Sequence, residues 1–237
     1  MARLNQSQTL SIIIPSFNEA SNLPLLLADL NLWPSQLEIC VCDACSSDST
    51  HLITILFGAR FIQVDKPNRG AQLHHGACNT NGDWLLFLHA DSRMSMDWPE
   101  TIKEIINKYS SKEVAWFFDF KVQGRSIELA FLELAVAVRS NFLDRPYGDQ
   151  GLLISRSLYQ KIGGYKPLYL MEDLDFLKRL SKTFGIKRLG LPLYTNGRRW
   201  DKVNFISKAW RNAQLRRRWK KGERSEVLAR EYYTDQE

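Results

Sequence analysis

Leu10-Ser11-Ile12-Ile13-Ile14-Pro15-Ser16-Phe17-Asn18-Glu19 is a short apolar run that stops at a proline and gives way to polar residues. A continuous run without alternation reads as a strand covered on both faces. Leu23, Leu26, Leu27 and Leu30 then recur at helical spacing, with Ser21 or Asn22 as the cap. The same alternation continues. Leu37 to Val41 reads as a second strand, and Ser46 or Ser47 can cap a helix carrying Leu52, Ile53, Ile55 and Leu56. Arg60 to Val64 is a third strand, Ala71 to Cys78 a helix, and Trp84 to Leu88 a fourth strand. Strands and helices alternating over short connections imply parallel strands joined by right-handed crossovers. The expected class is α/β, with a Rossmann-like, mostly parallel central sheet and helices on both faces.

The second half is less regular. Pro99 to Tyr109 reads as a helix, Val114 to Val122 as a strand, and Ile127 to Phe142 as a long apolar helix. Gly148-Asp149-Gln150-Gly151 is a turn before Leu152-Leu153-Ile154; Glu172 to Leu180 is helical, and Pro192 to Gly197 is extended or loop. The 237 residues are 44% hydrophobic and 24% charged, which excludes global disorder and a multispanning membrane protein. The apolar stretch Ile127 to Val138 is interrupted by Glu128 and Glu133 and is too short to span a bilayer. Four cysteines, without a secretory signal, point to a reducing cytosol.

In parallel sheets ligands bind at the carboxyl ends of the strands. Those ends carry acids. Asp43 follows the second strand, where it can bind a nucleobase or ribose, or simply cap the next helix. Asp91 ends the fourth strand two residues after His89. A hard divalent cation often uses only one or two carboxylates plus substrate phosphates, so this pair suits a metal bridging a diphosphate; a plain turn is the alternative. Glu172-Asp173 opens a helix, where the dipole favours acids, and where a carboxylate can also act as a general base. Asn196-Gly197-Arg198-Arg199-Trp200 is a basic-aromatic cluster suited to phosphate contacts and stacking, or to a plain surface loop.

Taken in order, these pieces resemble the family-2 glycosyltransferases of the GT-A fold. Ser11 to Glu19 matches the first strand and nucleotide-facing loop, and Val41 to Thr50 the Asp-x-x-Ser-x-Asp-x-Thr element. Asn68-Arg69-Gly70 matches the segment before the metal strand, and His89-Ala90-Asp91 sits at the Asp-x-Asp position. Glu172-Asp173 matches the Glu-Asp motif, and Asn196-x-x-Arg199-Trp200 looks like Gln-x-x-Arg-Trp. Within the family the chain looks most like the bacterial radical-SAM/selenodomain-associated transferases.

The resemblance implies a nucleotide-diphosphate donor, UDP- or GDP-linked, an acceptor hydroxyl, and Mg²⁺ or Mn²⁺. It implies that Pro15, Phe17, Glu19, Asp43, Arg69, Ala90, Asp91, Arg198, Arg199 and Trp200 bind the nucleotide-sugar, with Asp91 and His89 at the metal. Asp173 would be the base of an inverting transfer, with Glu172 beside it, and Asp149 and Gln150 would face the acceptor. Two departures stand out: His89 replaces the first acid of Asp-x-Asp, and Asn196 replaces Gln.

Cys42-Asp43-Ala44-Cys45 could be a redox pair, although Cys40 and Cys42 suit small core positions equally well. A nucleotidyltransferase would need a Gly-rich basic loop where Pro15 to Glu19 stands. A non-catalytic nucleotide-sugar or membrane-binding module is the other alternative.

Charge is unevenly spread. The chain carries 32 Lys and Arg against 26 Asp and Glu. Lys202 to Gly222 holds eight of the basic residues and no acid, so the remainder has 24 against 26. Residues 1–201 therefore read as the transferase domain and 202–237 as a basic helical appendage. Its interleaved Trp210, Leu215 and Trp219 allow a helix lying on an anionic membrane, a nucleic-acid contact or a solvated helix packed on the domain. The resemblance favours the membrane over nucleic acid, because lipid-linked acceptors are common in the resembling family. The implied location is cytoplasmic, peripheral on the inner face of the cell membrane.

Overall fold

The computed structural model describes residues 8–109, 113–123, 148–195 and 205–234. The helix expected over 127–142 and the Asn196 to Trp200 motif, with Arg198 and Arg199, lie outside the described residues.

Among the described residues, eight strands form one sheet: β1 (Leu10–Ser16), β2 (Glu38–Asp43), β3 (Arg60–Gln63), β4 (Trp84–Phe87), β5 (Ser92–Met94), β6 (Val114–Val122), β7 (Leu152–Ser155) and β8 (Gly185–Thr195). Their order is β3-β2-β1-β4-β7-β6-β8-β5. The pairs β1–β2, β1–β4, β2–β3 and β6–β8 are parallel. β7 runs antiparallel between β4 and β6, and β5 antiparallel on β8. The helices are α1 (Leu23–Leu30), α2 (Thr50–Leu56), α3 (Arg69–Cys78), α4 (Trp98–Lys108), α5 (Arg156–Lys161), α6 (Glu172–Leu180), α7 (Phe205–Lys220) and α8 (Ser225–Thr234).

Helices cover both faces, and strand alternation shows how. Ile12, Ile14, Val41, Leu86 and Leu88 pack with Leu26, Leu27 and Leu30 of α1 and Trp98 and Ile102 of α4. Ile13, Leu85 and Phe87 point the other way, to Leu73 and Ala77 of α3, Tyr159 of α5 and Phe176 and Leu180 of α6. β4 and the middle of β1 (Ile12 to Ile14) are therefore apolar at consecutive positions, as strands buried on two sides must be.

Three elements depart from the expected pattern. β8 begins at Gly185 rather than near Pro192, because Lys187-Arg188 hides a strand whose outer side chains are charged. Arg188 is instead paired with Asp119 of the neighbouring β6. β5 has three residues, too few for a periodicity to register. α2 starts at Thr50, because Ser46 and Ser47 are engaged with the preceding loops rather than with a helix end.

The connectivity positions the site. From β1 the chain moves outward through β2 and β3, then returns to the opposite side of β1 as β4. That reversal leaves a crevice between the carboxyl ends of β1 and β4, the place where doubly wound sheets bind ligands. α7 and α8 form a helical pair across Gly222 (φ +94°), and Leu215, Leu228 and Ala229 pack against Leu170 and Met171. Burying a leucine contributes roughly 1.5–3 kcal/mol, so Leu215 and Leu228 hold this pair firmly on the domain.

Candidate active site

Two loops at the crevice are tied together by side chains. Asp43, at the end of β2, is 2% exposed. Its Oδ1 accepts from Ser16 Oγ (2.8 Å) and Ser46 Oγ (2.5 Å), and its Oδ2 from the Ser46 amide (2.8 Å). Asn18 Oδ1 accepts from the Ser47 amide (2.9 Å), and Asp48 from the amides of Ala20 and Thr50. Gln72 Nε2 donates to the carbonyls of Ser16 (2.9 Å) and Cys42 (2.8 Å), clamping β1 and β2 at the same point. Among the described residues, the non-glycine positions with left-handed backbone are Asn18 (φ 54°), Cys45 (φ 58°) and Met171 (φ 68°). Each stands at a site loop, and strained backbone persists only where its surroundings over-determine it.

At the end of β4 the Ser92 amide donates to the His89 carbonyl (3.1 Å), turning the chain so that Asp91 faces the crevice. β5 pairs Ser92 with Thr195, and Thr195 Oγ1 donates to Asp91 Oδ2 at 3.4 Å. The end of β8 is thus tied to Asp91 beyond the tip of β4.

The third part comes from α3 and α6. Asn68 caps α3 by accepting from the Ala71 amide (2.9 Å) and donates to the Pro167 carbonyl (3.1 Å). A Cβ on Gly70 would stand 2.1 Å from the Lys166 carbonyl oxygen, so this close approach demands glycine. Arg69 of the same turn forms an ion pair with Glu172, which is 1% exposed and keeps Oε2 buried without a hydrogen-bond partner among the described residues. Burial pushes the Glu172 carboxyl upward while Arg69 opposes the rise. Burial likewise works against the Arg69 charge, but Glu172 and Asp173 outweigh it and raise that group. Asp173 is half-buried at the start of α6, its Oδ1 accepting from the Leu174 amide (2.7 Å).

Three adjoining spaces connect these groups. A cleft of about 940 Å³ is lined by Pro15, Phe17, Glu19, Arg69, His89, Ala90 and Asp91. A pocket of about 120 Å³ shares Arg69 with it and adds Asp173, Asn212 and Arg216. A small cavity of about 20 Å³ joins His89, Glu172 and Asp173. Asp43 lies behind the cleft rather than in its lining. Gln150 is buried with Nε2 donating to the Phe118 carbonyl (3.2 Å), and Asp149 precedes it in a single 3₁₀ turn (Gly148–Gln150). Gly151, two residues after Asp149, lines the small cavity beside Asp173.

The cysteines form no C-x-x-C pair. Cys42 Sγ lies 3.7 Å from Cys40 Sγ in the core, and its thiol is pushed up by that contact and by burial. Cys45 is exposed and donates to the Val64 carbonyl.

Among the described residues, no group of three or more His, Cys, Asp and Glu gathers as a metal site. Asp91 and His89 nevertheless fit a cation shared with phosphate oxygens, which needs one or two protein ligands, and an imidazole nitrogen suits Mn²⁺ better than Mg²⁺.

Sequence reasoning missed Gln72 and Tyr169, and also α8, which contributes Glu226, Ala229, Arg230, Tyr233 and Thr234 to the cleft. The signal was present. These positions lie on one helical face, while Leu228 and Tyr232 lie on another, but the basic run before them dominates the composition.

Glycosyl transferase family 2 matches residues 11–142 of the 237. The chain belongs to this family. A Haemophilus influenzae protein described as an uncharacterized glycosyltransferase is 26% identical over 183 residues, 72% of this chain and 61% of that one. The 4,4'-diaponeurosporenoate glycosyltransferase of Staphylococcus haemolyticus is 31% identical over 114 residues, 45% of this chain and 30% of that one. The chain thus spans less than two thirds of the length of either relative. Among solved structures, S. aureus TarS 1–349 has a TM-score of 0.65 at 17% identity, covering 80% of this chain and 60% of its own. Glucosyl-3-phosphoglycerate synthase of Mycobacterium tuberculosis, solved with Mn²⁺, UDP and glucosyl-3-phosphoglycerate, has a TM-score of 0.58 at 19% identity, covering 88% and 77%. These likenesses establish the GT-A fold of the family.

Proposed function

We propose that the protein is a metal-dependent glycosyltransferase that moves a sugar from a UDP- or GDP-linked donor to an acceptor hydroxyl with inversion. The observation carrying this reading is the 940 Å³ cleft at the β1–β4 reversal, with Asp91 on its wall and Asp173 in the adjoining pocket. The TarS and glucosyl-3-phosphoglycerate synthase structures hold UDP or UDP-sugars, which supports a nucleotide-sugar donor here.

In this reading Pro15, Phe17, Glu19 and Arg69 hold the nucleotide side of the donor. Asp43 acts from behind, by fixing the loops through Ser16 and Ser46. Asp91 and His89 hold the cation, which when bound neutralises charge on the leaving diphosphate. Asp173 removes the acceptor proton as the hydroxyl oxygen attacks the anomeric carbon from the face opposite the diphosphate. Glu172 holds Arg69 in place. Arg198, Arg199 and Trp200 are assigned to the donor, and Asp149 and Gln150 to the acceptor side. Residues 1–201 form the transferase domain and 202–237 its helical appendage. The resemblance to the radical-SAM/selenodomain-associated subgroup, a lipid-linked acceptor and a cytoplasmic location peripheral to the membrane belong to the same proposal.

Titrating UDP, GDP and dTDP with Mn²⁺ tests the donor reading by thermal stabilisation, since a ligand at 100 times its Kd stabilises by about 2.7 kcal/mol. Asp91→Ala should weaken the stabilising nucleotide when Mn²⁺ is present and leave metal-free binding unchanged. Equal loss in EDTA would count against Asp91 as the metal residue.

Among the described residues, no helix is long and apolar enough to cross a membrane. On α7, Arg217 and Lys220 are exposed, as are Trp210 at 65% and the neighbouring Lys221, and these support a surface contact. The full chain should co-sediment with anionic phosphatidylglycerol vesicles, and Arg217→Glu/Lys220→Glu/Lys221→Glu should not. Equal sedimentation of both would sink the membrane reading.

A further inference from the structure

α8 enters the cleft in a specific way. Glu226, Ala229, Arg230, Tyr233 and Thr234 follow the i, i+3, i+4, i+7, i+8 rhythm of a single helical face, and that face lines the cleft. The helix is seated rather than trailing. Leu228 is fully buried against Leu170, Met171 and Leu215. Arg218 bonds both Glu223 and Glu231, and Arg211 donates to the Glu231 carbonyl.

The charges around the cleft are unequal. Its described walls carry Glu19, Asp91 and Glu226 against Arg69 and Arg230. Arg69 is committed to Glu172, and Glu226 lies 3.5 Å from Arg224. Arg230 is exposed and has no carboxylate partner among the described residues. A guanidinium held on a rigid helix, facing an otherwise acidic cleft and lacking a partner, suits a bidentate contact to phosphate oxygens. Phe17 and Tyr233, each 49% exposed, offer aromatic surface from two different walls of the same cleft.

We propose that α8 is a wall of the donor site and that its Arg230 holds the donor diphosphate. The inference rests on the nucleotide-sugar reading above. It locates a diphosphate-binding cation in the last helix, far in sequence from the strand-end motifs.

The test is calorimetric titration of the full chain with UDP, GDP or dTDP, whichever stabilises it, in Mn²⁺, and with the matching nucleoside. Arg230→Ala should lose about ten- to a hundredfold in nucleoside diphosphate affinity, the effect of one charge-assisted contact. Nucleoside affinity should not change, and Arg230→Lys should recover part of the loss. Lys182→Ala, which removes an exposed charge outside the cleft, controls for net charge and should match the wild type. Equal diphosphate binding by wild type and Arg230→Ala would overturn this inference and leave the donor reading standing. Tighter binding by Arg230→Ala would also overturn it, marking α8 as a helix that obstructs the cleft. No nucleoside diphosphate binding by the wild type would overturn both.

Discussion

Asp173→Asn should reduce sugar transfer by about 10²–10⁴-fold, the range over which a positioned general base acts, while nucleoside diphosphate affinity stays within about twofold of wild type. The reason lies in how Asp173 is held. Its Oδ1 accepts from the Leu174 amide at the first turn of α6, and asparagine can present a carbonyl oxygen to the same donor. The substitution therefore preserves shape and capping while removing basicity. The cleft that would hold the donor is bounded by other residues, so binding and chemistry separate at this position. Nucleoside diphosphate release in the presence of acceptor measures the first, and calorimetry the second. Full activity in Asp173→Asn would end the assignment of this residue as base.

Arg69→Met should be the most damaging substitution for stability among the site residues. Glu172 is almost wholly buried, and Arg69 is its ionic partner. Breaking a buried pair from one side costs about 3–5 kcal/mol, which in a chain of this size lowers the melting midpoint by roughly 6–20 °C. Burial already raises the Glu172 carboxyl above its ordinary 4.5, and loss of the guanidinium removes the opposing influence. The folded variant then keeps a proton that the unfolded chain releases above 4.5, so its stability falls as pH rises through the window between the two values. The penalty should be larger at neutral pH and shrink toward pH 4. Adding Glu172→Gln should restore much of the midpoint at pH 7, because no charge is left buried. Melting curves across pH check this, and a loss independent of pH would show that Arg69 stabilises by packing alone.

The parts of the protein legible in its sequence are those with dense local signals. Ile12 to Ile14, the leucines of α1 and the Trp84 to Leu88 run announce the parallel core, because a strand covered on both faces has no alternative pattern. Asp91 and Asp173 stood out as acids following apolar strands or opening a helix. What could not be read depends on distance. Gln72 looks like any helix glutamine until β1 and β2 bring two carbonyls to it. Gly70 shows its purpose only against the Lys166 carbonyl. Asp43 reads as a ligand-facing acid, but Ser16 and Ser46 occupy its oxygens in the fold. α8 lines the same cleft as Pro15 and Ser16 of β1 from more than 200 residues away in the chain, and no local pattern encodes that shared wall.

Asn18, Cys45 and Met171 carry a further implication. Glycine would adopt their left-handed conformation with ease, but would leave each loop many other states in which to wander. A residue with a side chain admits fewer. Where neighbouring hydrogen bonds hold it in the rarer state, the loop arrives at the cleft already shaped. Less ordering entropy is then left to be lost when a ligand binds, and more of the contact energy appears as affinity. The three awkward backbones are in this sense a form of preorganisation, placed at the loop that follows β1, the loop that follows β2, and the start of the helix bearing Asp173.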